Sequence, residues 1–202
     1  MNVSPIEEMI RAVRQGDIDR YAEIVRRYQQ EIFLYCCHLL MHREEAEDAA
    51  QDVFLKAFEK IHLYAYDRSF SAWLYKIAYN HCLNLLRQRK RNRLLQWFVR
   101  HEAAESREDD RLSAVEGINE PLLSRSLVRM TPAERSLIVL RIVHEKSYEE
   151  IGVVLDGSPA VLRKKFERAK NKLRTIWNQL EGESYESTRG IRTAVEPTII
   201  ER

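Results

Sequence analysis

The chain has 202 residues, which is enough for one large domain or two small ones, and a formal net charge of only +2 at pH 7. Charged residues make up 32% of it, whereas it holds only 6 glycines and 5 prolines, a composition typical of long exposed helices and few tight turns. The small net charge excludes a uniformly basic nucleic-acid binder but permits blocks of opposite charge. We therefore predict an all-α fold.

The sequence predicts a cytoplasmic protein with no membrane insertion. No stretch approaches the ~20 apolar residues of a membrane span, and residues 1–13 carry acids where a secretory signal would carry basic residues and an apolar run. The three cysteines are an odd number, and Cys36 and Cys37 are adjacent within an apolar run. We therefore interpret Cys36, Cys37 and Cys82 as small buried hydrophobes and expect no disulfide framework.

Two amphipathic helices are predicted in the first third of the chain. Apolar residues recur every three or four positions from Asp17 to Leu40, and the run IFLYCCHLLM at the end of this stretch is expected to be buried nearly all round. The stretch from Glu44 to Ile61 repeats the pattern. Its polar flank consists of Glu47, Asp48, Gln51, Asp52, Lys56 and Glu59.

Residues 62–69, HLYAYDRS, lose the helical period and predict an aromatic loop, after which a helix resumes at Phe70. We expect Phe70 and Trp73 to belong to the core, and Tyr64 and Tyr66 to be more open. Exposed aromatic rings can stack on bases that have left a duplex. The helix ends in a basic block that would attract a phosphate backbone, formed by Arg87, Arg89, Lys90, Arg91 and Arg93.

A polar segment of mixed charge, residues 100–119, is interpreted as a flexible tether or loosely helical linker. It separates a predicted N-terminal helical domain, residues 1–99, from a predicted C-terminal domain, residues 120–181. The remaining residues, 182–202, are expected to be a disordered tail.

The C-terminal domain carries strong sequence signals for helix starts and stops. Thr131 and Ser147 are each followed three residues later by a glutamate, as in a capping box, and Asp156-Gly157 predicts a helix stop with glycine in the left-handed conformation. A new helix restarts at Ser158-Pro159. Helices over 148–155 and 159–177, joined by DGS, therefore predict a helix-turn-helix.

The second helix of this pair is crowded with basic residues. The major groove, about 12 Å wide, admits one helix, a guanidinium can bond two acceptors of guanine, and lysine neutralises phosphate. The alternative is a solvated basic face on a packed helix. Because two capping boxes, the helix stop and the basic helix occur at the right spacing, we favour DNA contact.

Three segments resemble the extracytoplasmic-function (ECF) sigma factors of bacterial RNA polymerase. AEDAAQDVFLKAFEKI resembles the polymerase-docking helix of that family, and FSAWLYKIAYN its promoter-melting segment. SYEEIGVVLDGSPAVLRKKFERAKNKL resembles its minus-35 helix-turn-helix. The likeness spans about residues 15–93 and 120–178, in the order of the family. It implies two helical domains, a non-enzymatic function, and three partners, which are core RNA polymerase, promoter DNA and an anti-sigma protein.

The resemblance also implies site residues, with no catalytic residue, metal or cofactor among them. The polymerase-docking set is Glu47, Asp48, Gln51, Asp52, Phe54 and Lys56. The minus-10 set is Tyr64, Tyr66, Asp67, Arg68, Ser69, Phe70, Lys76, Asn80 and Arg87. The minus-35 set is Ser158, Pro159, Arg163, Lys164, Glu167 and Arg168. Departures from the family pattern are Asn84 in place of an aspartate, Val161 in place of a threonine and Gly152 in place of an alanine.

Two other functions are alternatives to a sigma factor. A stand-alone helix-turn-helix regulator would account for residues 120–178 but leave the acidic helix 44–61 and the aromatic loop without a function. A metal hydrolase would use Cys36, Cys37, His38, His42, His81 and Cys82 as ligands. Three of those are consecutive, so one helix would point them in different directions, and no CxxC or HExxH spacing occurs.

Overall fold

The computed structural model describes residues 4–99 and 121–195, with side chains from 4 to 94 and from 122 to 182. Within those ranges the fold is all helical, as predicted. The helices are α1 (Pro5–Arg14), α2 (Ile18–Leu40), α3 (Arg43–Lys60), a 3₁₀ turn (Ile61–Leu63), α4 (Phe70–Val99), α5 (Pro121–Val128), α6 (Pro132–Ile142), α7 (Tyr148–Leu155) and α8 (Pro159–Val195). We call residues 4–99 the N-terminal unit and residues 121–195 the C-terminal unit.

The core of the N-terminal unit lies where α2, α3 and α4 pack together. Small side chains on the inner face of α3, Ala46, Ala49 and Ala57, are buried and let the backbones of α2 and α3 approach closely. The end of α2 is buried all round from Tyr35 to Leu40, as its unbroken apolar run predicts.

The three cysteines belong to this core. The thiols of Cys36, Cys37 and Cys82 are buried, and the Sγ of Cys82 lies 3.6 Å from the Sγ of Cys36, a hydrogen-bonding distance and not a covalent one. The hydrogen bond with Cys82, followed by burial, raises the pKa of the Cys36 thiol well above its ordinary value. The interpretation of the cysteines as buried hydrophobes is confirmed.

Helix α1 was not predicted from the sequence, although Ser4-Pro5 followed by Glu7 and Glu8 is a helix-start pattern. It lies against α2 and the 3₁₀ turn. Its last residue, Arg14, donates two hydrogen bonds to the carbonyl of Ile61, at 3.0 and 2.8 Å, and another to the carbonyl of Tyr64. A side chain 50 residues upstream therefore fixes the start of the aromatic loop.

Both capping boxes of the C-terminal unit are present. The hydroxyl of Thr131 accepts from the backbone N–H of Glu134 at 3.3 Å, and the Glu134 carboxylate accepts from the N–H of Thr131 at 2.9 Å. Ser147 and Glu150 repeat the arrangement at 3.1 and 3.0 Å. These reciprocal bonds satisfy donors that a helix start leaves unpaired, so α6 and α7 begin where the sequence predicts.

The turn of the helix-turn-helix differs from the prediction in one residue. Asp156, with φ 53° and ψ 55°, takes the left-handed conformation that we expected of Gly157. Aspartate tolerates that region better than most side chains. Gly152, which departs from the family alanine, has a packing reason, because a Cβ there would lie 2.6 Å from the carbonyl oxygen of Gly157.

We therefore expect Gly152→Ala to destabilise the protein by about 1–3 kcal/mol, since the backbone of the turn must move to admit a methyl group. Urea unfolding of the full chain measures the effect. Gly182→Ala is the matched control, because its Cβ meets nothing within 4 Å, and alanine at an open helix position is neutral or stabilising by up to ~1 kcal/mol. Equal stabilities for the two variants would contradict the close approach.

The predicted tail differs from the structure, and the predicted linker cannot be compared with it. The linker, residues 100–119, lies outside the described residues. The tail was expected to be disordered from residue 182, whereas α8 continues to Val195. No proline interrupts the chain between Pro159 and Pro197, and the two glycines of that stretch, Gly182 and Gly190, are weak helix breakers, so nothing local ends the helix.

The two units are in direct contact, which the sequence did not predict. Helix α6 packs on α2, and α7 packs on α4. The hydroxyls of Tyr35 and Ser136 are 2.6 Å apart, and Arg135 donates to the carbonyl of Leu39 at 2.6 Å and to that of Leu127 at 3.0 Å. Burial lowers the pKa of Arg135 to about 10. A cation at the carbonyl end of α2 complements the helix dipole and so links the units.

Candidate polymerase and promoter interfaces

The polar flank of α3 is exposed as predicted at five of its six positions, Glu47, Asp48, Gln51, Asp52 and Glu59, whereas Lys56 is partly buried. Phe54 differs, because it is only 7% exposed and lies in the core. It falls on the same inward face as Ala50 and Ala57, and this periodic position outweighs its place in the docking motif. Any contact of Phe54 with a partner is limited to the edge that reaches the groove described next.

An apolar groove of about 620 Å³ lies between α2 and α3, beside the acidic flank. We call it the α2–α3 groove. It is lined by Tyr21, Val25, Gln29, Gln30, Phe33, Arg43, Glu47, Ala50, Gln51, Phe54 and Leu55. Leu55 is 64% exposed, which is unusual for leucine, and Phe58 nearby is also exposed. Within the groove lining, Glu47 pairs with Arg43 at 3.1 Å. An apolar floor beside the acidic flank of α3 suits a protein partner that carries basic side chains.

Sequence reasoning missed the α2 wall of this groove. The apolar spacing of α2 predicts only an amphipathic helix, and it does not indicate that Tyr21, Val25 and Phe33 stay partly buried. The available signal was Leu55, an apolar residue on the polar flank of α3, which the amphipathic pattern leaves without a core partner.

Asp52 and Lys56, both predicted to dock polymerase, are tied to α4. The Asp52 carboxylate lies 3.3 Å from Nε2 of His81 and 3.4 Å from Nζ of Lys56, and that Nζ lies 2.8 Å from Nδ1 of His81. Burial and the Lys56 ammonium lower the pKa of His81, while Asp52 opposes them. These two side chains therefore also hold α3 against α4, unlike Asp48.

The aromatic loop lines one side of an open polar pocket of about 370 Å³, which we call the loop cavity. Its lining includes Tyr28, Tyr64, Tyr66, Asp67, Arg68, Ser69 and Phe70. Six of the nine residues in the predicted minus-10 set are thus brought together, although Phe70 belongs to the core, as predicted. A cavity of this size, with aromatic walls and polar edges, can accept one planar heterocycle.

Tyr64 is not open, contrary to expectation. It is 4% exposed, packs edge-on against Phe70, and donates its hydroxyl to the carbonyl of Arg68 at 2.6 Å. The backbone carbonyl of Tyr64 accepts a hydrogen bond from Arg14, which fixes this part of the loop. Tyr66 is 37% exposed, with the guanidinium groups of Arg11 and Arg14 at 5.4 and 5.0 Å from its ring centroid. Of the two tyrosines, only Tyr66 is available for stacking.

The polar face of α4 consists of Lys76, Asn80 and Arg87, which lie four and seven residues apart and so share one side of the helix. Asn80 and Arg87 are exposed. Lys76 is engaged, because its Nζ donates to the carbonyl of Val154 at 3.0 Å and pairs with the Asp156 carboxylate.

One member of the basic block turns inward. Arg89 is partly buried, because it pairs with Glu45 and donates to the carbonyl of Leu40 at 3.0 Å at the end of α2. Arg87, Lys90 and Arg91 are exposed. The block that can meet a phosphate backbone is therefore smaller than predicted.

The second helix of the helix-turn-helix presents its basic residues to solvent. Ser158 and Pro159 stand at the start of α8, and Arg163, Lys164, Glu167 and Arg168 are exposed over the next two turns. The guanidinium of Arg163 lies 5.4 Å from the ring centroid of Tyr148 on α7. Glu167 pairs with Lys170 at 2.7 Å. This surface can enter a major groove with its first turn leading.

The structure does not bring the six candidate metal ligands of the hydrolase hypothesis together at one site. Cys36 and Cys82 face each other in the core, whereas His81 faces α3. Within the described ranges, no group of three or more His, Cys, Asp and Glu side chains could hold a metal ion. Among the same residues, no helix combines the length and the apolar content that crossing a bilayer requires.

Comparisons with known proteins agree with this arrangement. Residues 24–92, which carry the α2–α3 groove and the loop cavity, match the family model for sigma-70 region 2. The chain is 28% identical over 179 residues to the ECF RNA polymerase sigma factor SigW of Bacillus subtilis, covering 84% of this chain and 95% of that protein.

Two solved structures have a similar fold. The structure of CnrH in complex with the cytosolic domain of CnrY is 22% identical, with a TM-score of 0.64, and the match covers 85% of this chain and 96% of the other. The sigma factor RpoE of Bartonella quintana, solved with the anti-sigma factor NepR, is 19% identical, with a TM-score of 0.63 over 78% of this chain and 96% of the other.

Proposed function

Since the chain belongs to the ECF-type sigma factors of bacterial RNA polymerase, we propose that it binds core polymerase, directs it to promoters with minus-35 and minus-10 elements, and promotes their melting. The observation that carries this proposal is the alignment with SigW over 95% of that protein, which spans both helical units. The α2–α3 groove, the loop cavity and the helix-turn-helix then each have a function.

Core polymerase docks on the α2–α3 groove and on the exposed acids of its rim, Glu47 and Asp48. An acidic rim steers a basic partner and fixes its orientation, while the apolar floor supplies contact area. This assignment keeps the predicted acids and Gln51, and adds Tyr21, Phe33 and Leu55 to the docking surface.

The loop cavity and the polar face of α4 hold the minus-10 element once it is single-stranded. A flipped base stacks on Tyr66 and enters the loop cavity, and Asn80 with Arg87 contacts the strand beside it. The helix-turn-helix binds the minus-35 element as a duplex. Two weak contacts joined by a linker give a combined affinity above either one.

Four further expectations follow from the family. The chain performs no chemistry of its own, because the polymerase catalyses RNA synthesis, and it acts in the cytoplasm where the polymerase is found. It needs neither metal nor cofactor. An anti-sigma protein controls it, as NepR is bound to the Bartonella quintana relative, by covering the docking and DNA-binding surfaces.

Run-off transcription with purified core polymerase and genomic fragments tests the proposal. We expect transcripts with defined start sites only when core and this chain are both present. A stand-alone helix-turn-helix regulator would instead bind DNA without associating with core polymerase. Specific DNA binding with no polymerase association and no transcripts would therefore replace the proposed function by that rival.

Arg163 and Arg168 are expected to contribute differently to minus-35 binding. Arg163 lies one turn into α8 and can bond base edges, whereas Arg168 lies farther along and contacts phosphate. Arg163→Ala should cost about 1–3 kcal/mol on the preferred sequence and weaken the preference. Arg168→Ala should weaken binding to all sequences alike and reduce the salt dependence by about one unit of slope.

Binding selections on randomised minus-35 duplexes, performed with both variants over a range of salt concentrations, measure these effects. Val161 is exposed and can offer only methyl contacts, so it supplies no polar readout at that position. If Arg163→Ala keeps the wild-type sequence preference, base recognition lies elsewhere, and Ser158 and Lys164 are the next residues to test.

A further inference from the structure

Four aromatic and histidine side chains meet where the two units touch. Tyr35 and His38 come from α2, Tyr75 from α4, and His144 from the segment between α6 and α7. The ring centroid of His144 lies 5.2 Å from that of Tyr75, 5.9 Å from that of Tyr35 and 6.4 Å from that of His38. His144 is thus the contribution of the C-terminal unit to a cluster built by the N-terminal unit.

A hydrogen-bond chain fixes the protonation of this cluster. The hydroxyl of Tyr75 lies 3.1 Å from Oε2 of Glu31 and 2.9 Å from Nδ1 of His144. An ionised carboxylate only accepts, so Tyr75 donates its one proton to Glu31 and accepts a bond from Nδ1–H of His144. The neutral imidazole then leaves Nε2 unprotonated, and Nε2 is buried without a hydrogen-bond partner.

A second proton on His144 would be costly while the units are joined. It would add an N–H⁺ at Nε2 with no acceptor, close to two other basic groups, His38 and Lys146. The opposing charge is Glu31, which already accepts from Tyr75 and lies 3.8 Å from Nζ of Lys146. Glu150 on α7 and the thiol of Cys36 also act on Tyr75, but both oppose its ionisation.

These surroundings set the direction of the pH response. Burial, followed by His38 and Lys146, lowers the pKa of His144 from 6.5 to about 4. Burial also lowers the pKa of His38. When the units separate, His144 meets water and its pKa returns toward 6.5. Between about pH 6.5 and 4, His144 therefore binds a proton in the separated state but not in the joined state. Acidification then favours separation of the units.

The joined state also blocks DNA contacts. The turn of the helix-turn-helix lies on α4, where Val154 and Asp156 engage Lys76, and Glu150 accepts from the hydroxyl of Ser69 at 3.3 Å.

We propose that the hydrogen-bond chain from His144 through Tyr75 to Glu31 is an acid-sensitive latch that holds the two units together in a state in which the C-terminal unit covers Lys76 and Ser69 of the minus-10 set. The regulatory meaning of the latch rests on the proposed function, but its existence does not. The Asp156–Lys76 ion pair also lies between the two units. It offsets the charge of Lys76, a basic residue of the predicted minus-10 set.

Small-angle X-ray scattering of the full chain, without DNA or polymerase, tests the latch. Between pH 7.5 and pH 5.5 the titration of His144 alone lowers the joining constant about tenfold, and His38 adds to it in the same direction. We expect the wild-type chain to expand over this range while circular dichroism shows its helices intact.

His144→Asn keeps an N–H donor near the position of Nδ1 but cannot titrate, and it should remove most of the expansion. His62→Asn, the same change at an exposed histidine, should leave the wild-type response unchanged. Equal expansion of wild type and His144→Asn, or no expansion of the wild type by pH 5.5, would overturn the latch. If the latch responds as expected but run-off transcripts are absent, only the proposed function fails.

Discussion

Asp48→Arg is expected to weaken binding to core polymerase about 100-fold or more, because it places a cation where the docking surface carries negative charge, and like-charge contacts at an interface cost several kcal/mol. Asp48 is exposed. An exposed substitution on a helix usually changes stability by within ~0.5 kcal/mol, so the fold should persist. Asp52 is a poorer choice, since it also holds α3 to α4 through His81.

Equilibrium binding to immobilised core polymerase measures the effect, with circular dichroism to check the fold. Glu181→Arg makes the same change of charge at an exposed position of α8 and serves as the matched control. A second variant, Leu55→Asp, tests the apolar floor without adding a positive charge. Wild-type affinity for both Asp48→Arg and Leu55→Asp would remove the α2–α3 groove as the docking site.

Tyr66→Ala combined with Asn80→Ala is expected to reduce transcription from a duplex promoter roughly 30-fold or more. Stacking of a base on an aromatic ring contributes ~1–3 kcal/mol, and a hydrogen bond adds about 1 kcal/mol. Both contacts form only after the bases unpair. Because Tyr64 is buried beneath the loop, we exclude it from the variant so that a folding defect does not imitate a melting defect.

A template with a pre-melted bubble over the minus-10 element separates melting from the earlier steps. If the two side chains stabilise opened DNA, the bubble should restore most of the lost activity, since the cost of unpairing has been removed. Affinity for core polymerase should stay at the wild-type value. A variant that transcribes the duplex template normally would show that the loop cavity has only a structural role.

Local features of the fold were predictable from the sequence. The three- and four-residue spacing of apolar side chains gave α2, α3 and α4 to within a few residues, and the two capping boxes gave the starts of α6 and α7. Each of these signals acts within one or two helical turns, so it needs no knowledge of distant residues. The helix-turn-helix followed for the same reason.

Features that depend on long-range contacts were not predictable. The Tyr64 ring is buried against Phe70 and Trp73, and Arg14, far away in sequence, holds its backbone carbonyl. Lys76 pairs with Asp156, an acid in the turn after α7 and 80 residues away, and Arg89 turns toward Glu45. The contact between the units rests on pairs such as Tyr35 with Ser136, whose sequence positions carry no periodic signal. Exposure of individual side chains was therefore the weakest part of the predicted sites.

Permanganate footprinting of a promoter recovered by run-off transcription tests the central claim most directly, because it detects unpaired thymines. We predict reactive thymines within the minus-10 element only when core polymerase and this chain are both present. Their reactivity should fall with Asp48→Arg and with the Tyr66 and Asn80 double variant. Thymines that stay unreactive while the chain is bound to core polymerase, or that react equally without the chain, would contradict its assignment as a promoter-opening sigma factor.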